Sequence, residues 1–193
     1  MVTGEALERP TLWDAALPFQ GTLSDGLSIL ALSLFTAVCA QISVPLPFTP
    51  VPLTGTTLGV LYAGALLGPR RGAAAAALYL LEGGCGLPFF AGGAAGWAHL
   101  AGPTGGYLLG FVPAAWLTGL LARRGWDRSP ATAAAMMLLG SSLVFLFGLA
   151  GLSRFLPARG LLSAGLWPFI PGDVLKAGLA AALLPFGWRR LGR

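Results

Sequence analysis

Apolar residues are arranged in six long runs along the chain. By residue number they cover 27–44, 53–67, 72–81, 105–122, 131–152 and 170–188. An α-helix rises 1.5 Å per residue, so about 20 residues cross a hydrocarbon core of about 30 Å. Six runs approach that length, although the third is short on its own because Glu82, Gly83 and Gly84 interrupt it. Irregular backbone at that depth is tolerated where it is buried in protein or lines a cavity. The pattern predicts an all-α integral membrane protein, a bundle of six helices.

Positively charged residues flank these runs unevenly. Arg70 and Arg71 follow the second run, whereas the connection after the first run, residues 45–52, has no Lys or Arg. If both termini are inside, nine Arg residues lie on the cytoplasmic side and only Arg154 and Arg159 lie outside. An excess of positive charge marks cytoplasmic loops. The charge pattern therefore predicts that the N and C termini are both cytoplasmic.

The first 26 residues differ from the rest of the chain. They carry five charged residues and lack the basic start, short apolar run and small-residue cleavage site of a signal peptide. We predict that residues 1–26 form a retained cytoplasmic lead-in. Residues 27–193 are then the membrane domain, which binds the substrate.

Composition excludes an ordinary soluble domain. The chain is 55% hydrophobic and 10% charged, with mean hydropathy +0.76, whereas about a quarter of residues in soluble domains are charged. Its net charge of +5 does not indicate a nucleic-acid partner, because the positive residues flank apolar runs and form no stripe. Cys39 and Cys85 have no CxxC spacing, and phosphate-loop, HExxH and GxSxG motifs are missing. We expect no metal, no cofactor and no catalytic chemistry, which leaves binding and translocation.

Two charged residues in the sixth run are the strongest candidates for a site. Asp173 and Lys176 are three residues apart, a spacing that places both on one face of a helix. Charges within a membrane are costly and usually functional, and the lone Lys of the chain suits an anionic group. The alternative is a pair whose members only neutralise each other. Glu82 could accept hydrogen bonds from a ligand, pair with Lys176, or emerge toward water.

The uncharged external connections are unusual in composition. Residues 44–54 contain four prolines, which remove backbone donors and favour extended geometry. Residues 83–106 are rich in Gly and aromatic residues, with Trp97 and His99 near the middle. We predict that both segments fold back over the outer ends of the helices and cap a cavity.

Small residues in the first run suggest close helix contacts. Ser33, Ala37 and Ala40 share one region of that run, where docking onto another membrane protein and packing within the bundle remain open alternatives. The Gly55/Gly59 and Gly106/Gly110 pairs favour internal packing.

Four sequence blocks together resemble the BioY family, the biotin-binding S components of energy-coupling factor (ECF) transporters. The blocks are AQISVPLPFTPVPLT at 40–54, GLPFFAG at 86–92, GPTGGYLLGF at 102–111 and IPGDVLK at 170–176. They occur in family order, and the combination is specific. The resemblance implies a six-helix S component in the cytoplasmic membrane of a prokaryote. Such a component binds biotin near its outer face and works with a transmembrane T component and ABC-type ATPase subunits.

The resemblance also implies roles for individual residues. Asp173 and Lys176 correspond to the polar floor of the biotin site, and Ser33, Ala37 and Ala40 to a face that docks onto the T component. The family pocket includes an amide side chain, but this chain has no Asn, so Glu82, Gln41, Asp173 or backbone groups must meet the ureido group. The expected substrate-binding set is Asp173, Lys176, Glu82, Gln41, Thr54, Phe89, Phe90 and Tyr107. An S component for another vitamin and a non-transport bundle protein are the alternatives, and a homo-oligomer is possible.

Overall fold

The computed structural model describes residues 10–16 and 21–192, so half of the predicted lead-in, Arg9 included, lies outside the described residues. The helices are α1 (Leu12–Ala16), α2 (Thr22–Gln41), α3 (Thr56–Leu67), α4 (Pro69–Gly84), α5 (Trp97–Leu100), α6 (Gly105–Arg123), α7 (Pro130–Leu152), α8 (Ala158–Gly165) and α9 (Ile170–Arg190). Two short strands, β1 (Ser43–Val44) and β2 (Leu53–Thr54), and 3-10 turns at Ala91–Gly93, Trp126–Arg128 and Trp167–Phe169 complete the fold.

Six of the described helices, α2, α3, α4, α6, α7 and α9, form the bundle that the apolar runs predict. Helical stretches 22–41, 105–123, 130–152 and 158–190 are long and apolar enough to cross a membrane, and α3 is a shorter apolar helix of 12 residues. Helix α4 continues through Glu82 to Gly84 rather than ending where the apolar run does. The prediction of an all-α six-helix bundle is confirmed. We call the end of the bundle where α2 is followed by α3 the outer end, in keeping with the charge pattern.

Prolines and glycines define several helix boundaries. Pro69, Pro130 and Pro171 each lie in the first turn of a helix, where the missing backbone donor costs nothing. Gly68 joins α3 to α4 with φ of +82°, a conformation that only glycine adopts easily. The inner turn between these two helices is therefore only one residue long.

Helix α6 lies at the centre of the bundle and packs against α3, α4 and α7. A Cβ on Gly106 would lie 2.9 Å from Cα of Gly151, and one on Gly59 would lie 2.9 Å from Cα of Thr36. Such distances are too short for real side chains, so these glycines allow helix backbones to touch. The predicted internal role of the glycine pairs agrees with this packing.

The proline-rich connection is closed at its base by the two strands. Ser43 pairs with Thr54 and Val44 with Leu53 in an antiparallel ladder, and Gly55 N–H donates to Ile42 O at 2.9 Å. Residues 45–52 therefore project as a loop over the outer end of the bundle. We call this segment the proline loop.

The inner end of the bundle is held by charged residues. Arg71 on α4 donates to Asp14 of α1 at 2.6 Å and to Asp25 of α2 at 2.8 Å, and so fixes α1 beneath the α3–α4 turn. Burial of the Asp14 carboxyl opposes ionisation, but hydrogen bonds from Arg71 and Thr11 outweigh it and lower the pKa of Asp14. The predicted lead-in thus contains at least one segment that packs on the bundle.

Helix α8 is a structural element that the apolar runs did not predict. The outer connection between α7 and α9 was expected only as a link that carries Arg154 and Arg159. Eight of its residues form α8, whose Ala164 and Gly165 are buried while Leu162 and Ser163 are exposed. A helix this short falls below the length of a span and is hard to detect from hydropathy alone.

Candidate binding cavity

The outer half of the bundle encloses a cavity between α3, α4, α6, α7 and α9, covered by the two unusual connections. The space between its walls is about 630 Å³, and part of it is open to solvent at the mouth. Its polar lining residues are Thr54, Thr56, Thr57, His99, Thr104, Asp173 and Lys176. The remaining lining residues are Val51, Pro52, Tyr79, Phe90, Ala91, Tyr107, Leu108, Phe111, Val144, Phe145 and Phe169. The cavity is thus mostly apolar, with a few polar groups.

Asp173 and Lys176 meet each other in the cavity wall. Lys176 Nζ donates to Asp173 Oδ1 at 3.1 Å, and their side chains are 15% and 5% exposed respectively. The first turn of α9 holds Asp173, where the helix dipole favours a carboxylate. The second oxygen, Oδ2, is buried and has no hydrogen-bond partner among the described residues. Because a buried acceptor without a donor is costly, this atom marks a place where a ligand donor would be stabilised.

Aromatic rings form the walls of the cavity. Phe90 is fully buried, meets the Tyr79 ring edge-on at 5.7 Å, and stacks on the His99 ring at 5.2 Å with an interplanar angle of 20°. Tyr107 donates its hydroxyl proton to Gly165 O at 2.7 Å and thereby ties α6 to the end of α8. These contacts hold the rings in defined positions around the empty space.

His99 on α5 closes the cavity from above. Its Nε2 lies 3.2 Å from the Thr104 hydroxyl, and burial lowers the pKa of the ring. The imidazole is therefore neutral at physiological pH and acts as a flat, partly apolar wall. His99 was expected to lie within the cap, and the structure places it there.

Five of the eight residues expected to bind substrate line this cavity. They are Thr54, Phe90, Tyr107, Asp173 and Lys176. Whether they contact a ligand remains a proposal, but the fold brings together residues that are far apart in the sequence. The predicted cap, formed by the proline loop and the segment between α4 and α6, covers them.

The other three expected residues lie outside the lining. Glu82 accepts a hydrogen bond from Ser33 Oγ on α2. Gln41 Nε2 donates to Pro88 O at 3.3 Å and so ties the end of α2 to the loop after α4. Phe89 is half-buried, and its carbonyl accepts a hydrogen bond from Tyr79 at 3.2 Å. In this conformation these residues brace the cavity walls rather than face the cavity.

The small residues of α2 also face inward. Ser33, Ala37 and Ala40 are 0%, 5% and 0% exposed, and α2 packs on α3 and α4. These side chains therefore pack inside the bundle in this conformation, and docking of a partner onto them stays a prediction. A partner could reach these side chains only if α2 moved.

Several lining residues were not predicted. Thr56 and Thr57 begin α3, and Phe145 and Phe169 come from α7 and from the turn before α9. The two threonines are hydroxyl residues at the edge of an apolar run, which is a weak sequence signal. The phenylalanines have no distinguishing signal among the many apolar residues of the chain.

A covered cavity with a buried acid and amine, set in the outer half of a helical bundle, defines a multi-pass membrane protein that binds a small solute. A sequence profile described as the BioY family matches residues 15–193. The chain belongs to the BioY family, as the four sequence blocks suggested.

Relatives cover most of the chain. The "Biotin transporter BioY" of Rhizobium etli is 37% identical over 168 residues, which are 80% of this chain and 89% of the relative. The "Probable biotin transporter BioY" of Pyrococcus horikoshii is 38% identical over 81% of this chain and 91% of its own. A crystal structure described as the S-component for biotin from an ECF-type ABC transporter superposes with a TM-score of 0.78 at 27% identity. It covers 89% of this chain and 95% of that protein.

Proposed function

We propose that this chain binds biotin and carries it across the cytoplasmic membrane of a prokaryotic cell, as the substrate-specific component of an ECF-type transporter. The relatives named as biotin transporters and the likeness to a biotin S-component support this proposal. The observation that carries it is the cavity itself, in which a buried Asp173 with one unpaired oxygen stands beside Lys176. We expect a ligand that supplies a donor to the acid and an acceptor to the amine.

The ureido group of biotin matches this pair. It presents N–H donors beside a carbonyl acceptor, so one N–H can donate to Asp173 Oδ2 while Lys176 donates to the carbonyl. Since Asp173 Oδ1 and Lys176 Nζ are only 3.1 Å apart, both groups meet the same end of an elongated ligand. The carboxylate of biotin would bring two more acceptors and leave Asp173 Oδ2 without a donor. We therefore place the ureido end at this pair.

The apolar remainder of biotin suits the cavity walls. The thioether ring and the aliphatic chain would pack against rings such as Phe90, Tyr107 and Phe145, which removes apolar surface from water. A dry cavity also strengthens the polar contacts and penalises a ligand that leaves one unmade. The same surroundings disfavour a cationic vitamin such as thiamin, because Lys176 would repel it.

Energy for uptake has to come from other subunits, because the sequence has no phosphate-loop motif for ATP hydrolysis. We propose that a T component and ABC-type ATPases drive a reorientation of the bundle, which turns the occupied cavity toward the cytoplasm. The surface of α2 is one place for such a partner, with Ser33, Ala37 and Ala40 accessible only after helix movement.

The test is calorimetry of the detergent-purified protein with biotin, desthiobiotin, biotinamide and thiamin. We expect the first three to bind and thiamin not to bind. Lys176→Met should weaken biotin and biotinamide alike by about 10- to 100-fold, since a hydrogen bond from a charged group is lost. Val174→Met, on the exposed face of the same helix, is the matched control and should bind normally.

Two outcomes would count against the proposal in different ways. No binding of biotin by the unaltered protein would refute the function. Much greater weakening of biotin than of biotinamide in Lys176→Met would place the carboxylate at Lys176, and the ureido assignment would be wrong while the function stands.

A further inference from the structure

The outer connection between α7 and α9 carries positive charge that no described carboxylate balances. Arg154 and Arg159 are exposed, and neither has a carboxylate partner among the described residues. Glu82 and Asp173, the described acids near the outer end, have polar partners of their own on other helices or within α9. The two guanidinium groups are therefore available to an anion from outside the chain.

Large apolar side chains are exposed in the same segment. Phe155 precedes α8, Leu162 lies within it and Trp167 follows it, and their exposures are 48%, 49% and 63%. Leu162 lies three residues after Arg159, so an apolar and a cationic side chain share one face of the helix. A face that mixes apolar side chains with arginine is typical of helices that lie at a membrane surface.

The place of α8 in the fold agrees with that pattern. It lies between the outer end of α7 and the first turn of α9. Helix α7 has 23 residues, which at 1.5 Å per residue give a length of about 35 Å. Since the hydrocarbon core is about 30 Å thick, α7 can reach from one head-group layer to the other. The segment that follows α7 is therefore at the level of the outer phosphates, where tryptophan is also enriched.

The opposite face of α8 is fixed to the bundle. Gly165 is buried, and Tyr107 donates its hydroxyl proton to Gly165 O at 2.7 Å. A Cβ on Gly165 would lie 2.8 Å from Cδ2 of both Leu149 and Leu152, so α8 packs closely on α7. Rotation of α8 about its axis would break these contacts. The exposed face is therefore held away from the bundle.

We propose that residues 154–167 form a docking surface for phospholipid head groups of the outer leaflet. Arg154 and Arg159 bind lipid phosphates, for which a guanidinium supplies paired donors. Phe155, Leu162 and Trp167 enter the boundary between the head groups and the acyl chains. The arginines keep their charges at the phosphates while their aliphatic stems cover apolar surface. This surface is separate from the binding cavity, whose lining includes none of these residues.

Fluorescence quenching of Trp167 in nanodiscs tests this proposal. The full chain is reconstituted into phosphatidylcholine, either unlabelled or brominated on the acyl chains near the head group, and acrylamide is the water-soluble quencher. Subtraction of the signal of Trp167→Phe isolates Trp167 from the other five tryptophans. We expect brominated lipid to remove about half or more of the Trp167 emission and acrylamide to remove much less, because the ring lies at the edge of the acyl chains.

The arginines are tested separately from the apolar side chains. Arg154→Gln combined with Arg159→Gln removes both charges, and we expect the quenching of Trp167 by brominated lipid to fall about twofold, since the phosphates no longer hold the segment. Arg189→Gln combined with Arg190→Gln is the matched control, because it removes two exposed arginines at the inner end. The control should leave the quenching of Trp167 unchanged. In each background, Trp167→Phe again isolates the signal.

Two results would overturn the proposal. Strong quenching of Trp167 by acrylamide, with none by brominated lipid, would mean that the segment faces water, and a partner protein would then be the candidate occupant. Equal quenching by brominated lipid in the unaltered protein and in the variant without Arg154 and Arg159 would mean that the arginines do not bind phosphates. Thermal unfolding checks that each variant is folded. The measurement needs no biotin, so a failure of the proposed function leaves it unaffected.

Discussion

Gly83 is a position where one methyl group should disturb the cavity. It lies near the outer end of α4, and a Cβ at this position would lie 2.8 Å from Cδ1 of Phe90 and closer still to Cε1 and Cζ. Phe90 is fully buried and lines the cavity. The change Gly83→Ala therefore forces the Phe90 ring away from α4, or α4 away from the ring.

The size of the effect follows from this geometry. Carbon atoms in contact prefer separations of about 3.5–4.0 Å, so the ring has to shift by about 1 Å or more. Overpacking of a core typically lowers the free energy of unfolding by about 1–3 kcal/mol. The higher helix propensity of alanine offsets at most about 1 kcal/mol of this loss. A net loss of about 1–2 kcal/mol lowers Tm by about 2–8 °C for a chain of this size. Because the shifted ring also loses its stack on His99, we expect biotin to bind about tenfold more weakly.

Thermal unfolding in detergent and calorimetry with biotin measure both effects. Gly178→Ala is the matched control, since a Cβ there meets no atom within 4 Å; it should leave binding unchanged and stability equal or higher. If Gly83→Ala binds biotin within a factor of two of the unaltered protein and unfolds at the same temperature, the close packing of Phe90 on α4 is wrong.

Three further variants test other parts of the fold by thermal unfolding in detergent. Trp188→Phe removes the 2.6 Å hydrogen bond to the buried carboxylate of Asp127 and should lower the free energy of unfolding by about 2 kcal/mol. Biotin affinity should not change, and a loss of affinity would contradict a purely structural role for this hydrogen bond. Asp14→Asn should destabilise by about 1 kcal/mol at pH 7 and by progressively less as the pH falls below about 4. Hydrogen bonds from Arg71 lower the folded-state pKa of Asp14, so its contribution to stability is full above the unfolded-state pKa and is lost as the pH falls through the folded-state pKa; an effect that does not decline with falling pH would refute this. Ser33→Leu should destabilise strongly, because the side chain is fully buried; normal stability with lost uptake would instead support partner docking.

The membrane itself explains why so much of the fold was predictable. A spanning segment has to be helical and apolar over about 20 residues, because lipid offers no hydrogen bonds to the backbone. Six runs of the chain meet or approach that requirement. Helix α8 was not predicted because it is only eight residues long. The requirement for a long apolar helix does not apply to the first 20 residues, which precede the first apolar run. Hydropathy locates spans well and locates the short elements between them poorly.

The binding cavity was predictable to a lesser degree. Asp173 and Lys176 are three residues apart on one helix, so local geometry alone brings them together. The stacking of Phe90 on His99, and the place of both rings in the cavity lining, depend on how the segment from 85 to 104 folds over α4 and α6. No local pattern specifies that path, because it results from tertiary packing of glycines and aromatic rings. Thr56 and Thr57 were missed because hydroxyl residues at the edge of an apolar run are a weak sequence signal.

Glu82 and Asp173, the two acids near the outer end of the bundle, differ in how completely the fold pairs their carboxylates. Both Glu82 and Asp173 lie in membrane helices. The free-energy cost of an ionisable side chain within a membrane marks each of them as a functional candidate. In the structure, Glu82 accepts a hydrogen bond from Ser33 on a neighbouring helix, whereas Asp173 keeps a buried oxygen without a partner among the described residues. A polar group that the fold has already paired contributes to packing between helices, and one that the fold leaves unpaired beside a cavity is available to a ligand. The distinction depends on which way Ser33 faces, and that orientation is set by the packing of α2 on α4 rather than by any residue near Glu82 in the sequence.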